Sequence, residues 1–328
     1  MAALRAGLIG LGSMGRHHAR VLRAIDGVEL VAVADPGGDA YGVAGGLKVL
    51  DGVKDLIDAG VDYVAVAVPT AYHEAIGLAL ATAGIPALVE KPLAGDAESA
   101  GRVAGAFAAA GVIGAVGHIE RYNPALQSLR KRLANGDLGD VYQVATRRQG
   151  PFPQRIADVG VVLDLATHDI DLSSWVTQSH YTMVAAQTAN RSGRAHEDLV
   201  SVTGRFSNGA VASHLVNWLS PMKERLTVVT GERGTFIADT LTADLTFYAN
   251  GTVASDWDAL VGFRGVSEGD VIRYAIQKTE PLRTEHETFR DAVLGKPADI
   301  VTMEQGLATV RTAAAVIESA RTGLTVNL

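Results

Sequence analysis

The 328-residue chain has no cysteine, which excludes disulfides, thiolate nucleophiles, cysteine-ligated zinc and iron–sulfur clusters. Any chemistry uses other groups. Positive charge is also scarce: 29 Lys and Arg face 36 Asp and Glu for a net charge of -7, and no run of five basic residues occurs. The electrostatic footprint of a nucleic-acid binder is therefore missing. No apolar run approaches the roughly 20 residues a membrane helix needs. The opening stretch, MAALRAGLIGLGSMG, is broken by glycines where a signal peptide has a continuous apolar core. These absences predict a cytoplasmic protein with no nucleic-acid or membrane partner.

What is present is the composition of a globular protein, 48% hydrophobic and 20% charged. At roughly 100 to 200 residues per domain, the length favours two domains. From residue 4 to about 120, short β-branched runs (Leu4 to Ile9, Val28 to Ala34, Tyr63 to Val68, Ala87 to Val89, Val112 to Val116) alternate with alanine-rich helical stretches. That rhythm is a parallel sheet wrapped by helices. After Asn123-Pro124 come a helix to about Ala134, a strand from Val141, and from residue 181 several alternating segments, with Ser207-Asn208-Gly209 as a hairpin turn. The expected class is α/β: a doubly wound Rossmann domain over 1–121, then an α+β domain over 122–328 with a large, mostly antiparallel open sheet. The helix at about 303–321 could pack back on the first domain.

Gly10-Leu11-Gly12-Ser13-Met14-Gly15 fits G-x-G-x-x-G, follows a strand and opens a helix. Gly10 permits the tight turn, Gly12 admits a pyrophosphate to the backbone, and Gly15 lets helix pack on strand. The helix N-terminus offers its N–H groups to the phosphates. Asp35 closes the second strand 20 residues after Gly15, the separation expected for a carboxylate on the adenosine ribose. It would repel a 2'-phosphate, and no Lys or Arg occurs from Pro36 through Leu47, so NAD is favoured. Arg16 keeps NADP as the alternative.

Two later segments carry chemistry: Glu90-Lys91-Pro92 after a buried strand, and Asp164-Leu165-Ala166-Thr167-His168-Asp169-Ile170-Asp171. On a helix Asp164, His168 and Asp171 share a face. With the glycine motif, they make the chain resemble the glucose-fructose oxidoreductase / inositol dehydrogenase (Gfo/Idh/MocA) family over nearly its whole length. The resemblance implies an NAD(P)-dependent dehydrogenase acting on CH–OH groups, with Lys91, Asp164 and His168 beside the nicotinamide. Ser13, Met14, Pro69, His73, Glu90 and Lys91 join the glycines and Asp35 as cofactor contacts, and Lys91-Pro92 is often cis. A histidine suits the proton transfer, because its pKa lies near working pH. Asp164 can hold its tautomer, Lys91 can stabilise a developing alkoxide, and Asp171 is expected to be structural.

Gly117-His118-Ile119-Glu120-Arg121-Tyr122-Asn123-Pro124, Arg147-Arg148-Gln149-Gly150-Pro151 and Asn217-Trp218-Leu219-Ser220-Pro221 resemble the branch containing UDP-N-acetylglucosamine 3-dehydrogenase. That branch implies a nucleotide-sugar substrate, with Arg121, Asn123, Arg147, Arg148 and Arg155 as substrate contacts, arginine matching phosphate oxygens bidentately. A dehydrogenase or ketoreductase of inositol or a free sugar is the alternative; a non-catalytic NAD- and sugar-binding regulator is a third reading. A homodimer or homotetramer is expected by the same analogy. The glycine-rich stretch Pro36 to Gly42 departs from the family and predicts a curtailed helix. No metal site is expected: His286, between Glu285 and Glu287, lacks the second histidine at i+4. His17 and His18 follow the glycine loop, with His17 expected to face solvent.

Overall fold

The computed structural model describes residues 3–153, 159–251 and 268–328. The chain divides into two compact units, one of Met1–Ile119 with Glu280–Ala314 and one of Glu120–Thr279 with Ala315–Leu328.

The first unit holds six parallel strands: β1 (Leu4–Ile9), β2 (Val28–Ala34), β3 (Val49–Leu50), β4 (Tyr63–Val66), β5 (Ala87–Glu90) and β6 (Gly114–Gly117). Their order is β3-β2-β1-β4-β5-β6. Strand order reverses between β1 and β4, and at such a switch point a crevice opens at the carboxyl edge. All four residues of β4 are buried, as expected of a parallel strand covered on both faces. The covering helices are α1 (Gly15–Leu22), α2 (Val53–Asp58), α3 (His73–Thr82) and α4 (Ala97–Ala110). Asp96 caps α4 by accepting from Ser99 N–H at 2.8 Å, and Gly111 ends it at φ 64.

Residues 35–48 form turns, with no helix, as the glycines there predict. Asp39 accepts from Val43 and Ala44 N–H at 2.6 and 2.8 Å, and the Arg23 guanidinium donates to both their carbonyls. The late helix α7 (Pro281–Val293) also belongs to this unit; its Phe289 meets the Tyr63 ring edge-on at 5.5 Å. Met303, Leu307 and Val310, from the start of α8 (Met303–Thr322), join the core around Val116.

The second unit carries β7 (Val141–Pro151), β8 (Tyr181–Ala189), β9 (Leu199–Phe206), β10 (Val211–Asn217), β11 (Leu219–Gly231), β12 (Gly234–Asp239), β13 (Asp244–Asn250), β14 (Glu268–Arg273) and β15 (Val326–Asn327). The order is β14-β13-β12-β11-β7-β10-β9-β8-β15. All pairings are antiparallel except β10 with β7. Burial alternates strictly along β9 after its first residue, so one face is covered. Helices α5 (Pro124–Ala134) and α6 (Thr167–Thr177) contribute Leu126, Leu129, Leu172 and Trp175 to the core against Val144, Val229 and Phe236.

Under this sheet, His214 joins Thr146 Oγ1 at 2.8 Å and Tyr181 Oη at 2.7 Å. Burial, helped by the Arg148 charge, pushes its pKa down from 6.5 to about 4. The unfolded chain therefore takes this proton first, so the contribution is full above pH 6.5 and is lost as pH falls toward 4. The loss is on the order of 3 kcal/mol. Denaturant melts at pH 7 and pH 4.5 should show a shallower acid loss for His214→Gln than for the wild type. Equal slopes would mean that the ring titrates normally.

Candidate active site

The site is built outward from the end of β1. Gly10 sits at φ 95, and a Cβ there would meet the Ala67 carbonyl oxygen at 2.4 Å. A Cβ on Gly15 would lie 1.9 Å from the Gly10 oxygen. Both positions require glycine for packing within the protein itself. Gly12 differs, because nothing lies within 4 Å of where its Cβ would stand. Its open side, flanked by half-buried Ser13 and Met14, is where a pyrophosphate would approach. No side chain caps the α1 N-terminus; Arg16, His17 and His18 N–H donate to the Gly12 and Met14 carbonyls, so it is the N–H groups of Ser13, Met14 and Gly15, just ahead of them, that suit an anion.

Asp35 stitches this loop to β2: its Oδ2 accepts from Leu11 N–H and its Oδ1 from Gly37 N–H, both at 2.8 Å. Each carboxylate oxygen keeps lone-pair capacity for a ribose hydroxyl. Arg16, the residue that left NADP open, stacks over the exposed Tyr41 ring at 5.8 Å. These features fit a bound dinucleotide.

Pro69 leads into the single 3-10 turn Thr70–Tyr72 ahead of α3. His73, expected as a cofactor contact, is instead fully buried, with Nδ1 at 2.8 Å from the Pro92 carbonyl and Nε2 at 3.0 Å from that of Val68. Both ring nitrogens face main-chain carbonyls, and a neutral ring has one N–H to donate to one of them, so the side chain sits packed between the loops after β4 and β5. Burial holds its pKa down, against the pull of those carbonyls and of Glu90.

Glu90 ends β5, and the Lys91-Pro92 peptide that follows is cis. The Glu90 Oε2 accepts from Lys91 N–H at 3.1 Å and Oε1 meets His18 Nε2 at 2.9 Å. Burial opposes charge on this carboxylate, yet the His18 and Lys91 interactions outweigh it and hold its pKa below the usual range. Behind His18, its Nδ1 lies 2.8 Å from His286 Nε2 on α7, and Glu285 is buried beside it. Sequence reasoning missed this cluster, because 268 residues separate the two histidines and neither motif spacing nor periodicity links them. His17 is half-buried.

In the second unit, Asp164 stands in a π-helical turn, Val162–Ala166, that runs into α6 carrying His168. The continuous α-helical spacing expected from the sequence is interrupted there; π turns are frequent at functional sites. Both side chains are buried, at 5% and 9% exposure.

Three of the predicted substrate contacts are engaged elsewhere. Arg121 forms a buried bidentate pair with Asp171, at 2.8 and 2.6 Å. Arg148, 3% exposed, donates to Asp169 at 2.8 Å and Glu120 at 2.7 Å. Buried charges need partners, and these carboxylates supply them. Asn123 caps α5, accepting from Ala125 N–H and donating to the Thr240 carbonyl, each at 3.0 Å. Arg147 remains largely exposed, bonded to Glu224. Arg155 lies outside the described residues.

Truncating Arg148 would leave two buried carboxylates without their shared cation. Arg148→Met should cost about 3 to 5 kcal/mol by denaturant titration; a cost under ~1 kcal/mol would mean that the network is solvated.

Among the described residues, no group of three or more His, Asp or Glu side chains is placed to hold a metal, and no helix is long and apolar enough to cross a membrane.

A six-stranded doubly wound sheet, a glycine loop shaped for a pyrophosphate and an acid on the second strand define a dinucleotide-binding oxidoreductase scaffold. Family comparison agrees: residues 4–118 match the GFO/IDH/MocA oxidoreductase family's NAD-binding Rossmann fold, and residues 126–237 match the GFO/IDH/MocA C-terminal domain. The chain belongs to the Gfo/Idh/MocA family.

It is 35% identical to inositol 2-dehydrogenase 4 of Saccharopolyspora erythraea over 61% of its own length and 63% of that protein's. It is 33% identical to UDP-N-acetylglucosamine 3-dehydrogenase of Acidithiobacillus ferrooxidans over 65% of its length and 66% of that protein's. Both alignments thus span just under two thirds of the relative. The solved structure of the Acidithiobacillus enzyme superposes with a TM-score of 0.86 at 26% identity, covering 98% of this chain and 99% of that one.

Proposed function

We propose that the protein is a cytoplasmic, NAD-dependent dehydrogenase that oxidises a secondary alcohol of a sugar, with the C3 hydroxyl of a UDP-N-acetylhexosamine-type nucleotide sugar as its substrate. The observation that carries this reading is the placement of Lys91 directly after β5, on the same carboxyl edge as the glycine loop and two strands from β1.

Bound NAD supplies the hydride acceptor. His168 takes the hydroxyl proton as the carbon–hydrogen bond breaks, Asp164 orients that imidazole, and the Lys91 ammonium stabilises the developing alkoxide. Residues 1–121 hold the cofactor through Gly10, Gly12, Ser13, Met14, Gly15, Asp35, Pro69, Glu90 and Lys91. The second unit, Glu120–Thr279 with Ala315–Leu328, binds the substrate, with Arg147 and Arg155 as its diphosphate contacts, and assembles the protein as a homodimer or homotetramer. Light scattering on the purified protein checks the assembly, and a monomer mass would contradict it.

The nucleotide-sugar branch is favoured over inositol by the solved neighbour that covers nearly the whole chain, although the inositol dehydrogenase is slightly more identical over a shorter span. NADH formation should require the UDP group when UDP-sugars, their free sugars and inositol are compared. Turnover of inositol or free sugars alone would keep the family and discard the branch.

A further inference from the structure

The covered face of the second unit's sheet carries two arginines side by side. Arg225 on β11 stands directly opposite Arg148 on β7 in antiparallel register, so the two side chains leave the sheet on the same face. That face is the one under α6, because Arg148 donates to Asp169 of that helix. The next residues on the same side of β11, Thr227 and Val229, are buried in turn.

The two guanidiniums have different surroundings. Arg148 is committed to Asp169 and Glu120, at 2.8 and 2.7 Å. Arg225 is half-buried, yet its guanidinium makes no hydrogen bond or ion pair; Glu120, Asp169 and Asp164 attract it only from a distance, and Arg148 repels it. Burial, then the Arg148 charge, lowers its pKa from the ordinary guanidinium value against the pull of those carboxylates, so the fold by itself disfavours the cation it holds there. An arginine nevertheless stays charged at any working pH. A fork of N–H donors that reaches water, with a like charge behind it, suits an incoming anion. Its electrostatic neighbour Asp164 places it beside the turn that runs into α6 and His168.

We propose that Arg225 is a substrate contact whose guanidinium takes an oxyanion of the substrate, a phosphate or a carboxylate, and so selects an acidic sugar derivative over a neutral polyol. The inference rests on the reading of Asp164 and His168 as the groups at the reacting hydroxyl. A counter-ion that merely balanced Glu120 and Asp169 would act differently: its loss would weaken the fold, as loss of Arg148 does, and would not distinguish charged from neutral ligands. No motif marks Arg225 in the sequence; only the pairing of β11 with β7 sets it beside Arg148.

The test is calorimetric binding to the NADH-saturated protein, in which an alcohol cannot be oxidised. The probes are UDP-N-acetylglucosamine, charged at its diphosphate, glucuronate, charged at a carboxylate, and myo-inositol, which is neutral. Arg225→Met should weaken the anionic probe that the wild type binds by about tenfold or more, and Arg225→Lys should lose less, because the charge remains without the fork. Affinity for NADH and for inositol should not move. The thermal midpoint of unliganded Arg225→Met should equal or exceed that of the wild type, since an unpaired, half-buried cation is removed. Unchanged affinity for both anions, equal weakening of inositol, a wild type that binds neither anion, or a midpoint lowered as in Arg148→Met would overturn the proposal. A selective loss on glucuronate, in a protein that does not bind the nucleotide sugar, would keep Arg225 as the contact and remove the nucleotide-sugar reading. Oxidation of UDP-N-acetylglucosamine with unshifted affinity in Arg225→Met would keep that reading and remove the contact.

Discussion

Lys91→Ala is expected to lower kcat by about a thousandfold, roughly 4 kcal/mol of transition-state stabilisation, with the thermal midpoint of the unliganded protein nearly unchanged. The reasoning is electrostatic. An alkoxide developing as hydride leaves needs a donor already in place, and the lysine follows a strand whose last residue, Glu90, is fixed by His18 and by Lys91's own N–H. The side chain is half-buried, so its removal leaves no large cavity. Steady-state kinetics check the result; turnover within about tenfold of wild type, a factor worth only ~1.4 kcal/mol, would remove Lys91 from the chemistry.

Gly12→Ala is expected to weaken NAD binding by about a hundredfold or more while leaving the unliganded protein as stable as wild type. The geometry separates the three loop glycines. At Gly10 and Gly15 an added Cβ collides with backbone oxygens at 2.4 and 1.9 Å, so alanine there should destabilise the fold itself. At Gly12 the Cβ meets nothing within 4 Å and obstructs only what binds. Calorimetric titration of NAD beside thermal melts of Gly12→Ala and Gly15→Ala checks the contrast. Equal NAD affinity for Gly12→Ala and wild type would place the pyrophosphate elsewhere.

The Rossmann half was legible in the sequence because its signals are local. A β-branched run, the glycine hexad and an acid 20 residues on are one continuous unit, and the strand order follows from right-handed crossovers. The sheet of the second unit was legible as alternation, but the parallel pairing of β10 with β7 was not, because register between distant strands leaves no local trace. The arginines show a different limit. Arg121, Arg148 and Arg147 look alike in sequence, yet Asp171 claims the first, Glu120 and Asp169 the second, and only the third reaches solvent. Partner choice depends on which arginines the fold brings against the carboxylates of α6. His73 and Asn123 were likewise spent on backbone groups that spacing does not reveal. The His18–His286 contact needed α7, which enters the first unit after 160 intervening residues of the second.

The central claim is hydride transfer from a sugar carbon to NAD, and it is tested most directly with a nucleotide sugar deuterated at C3. The purified protein, incubated with NAD and UDP-N-acetylglucosamine labelled in this way, should yield reduced dinucleotide that carries the deuterium, together with the keto sugar. Reduced dinucleotide without the label, or an unreacted sugar in the presence of bound NAD, would contradict the account.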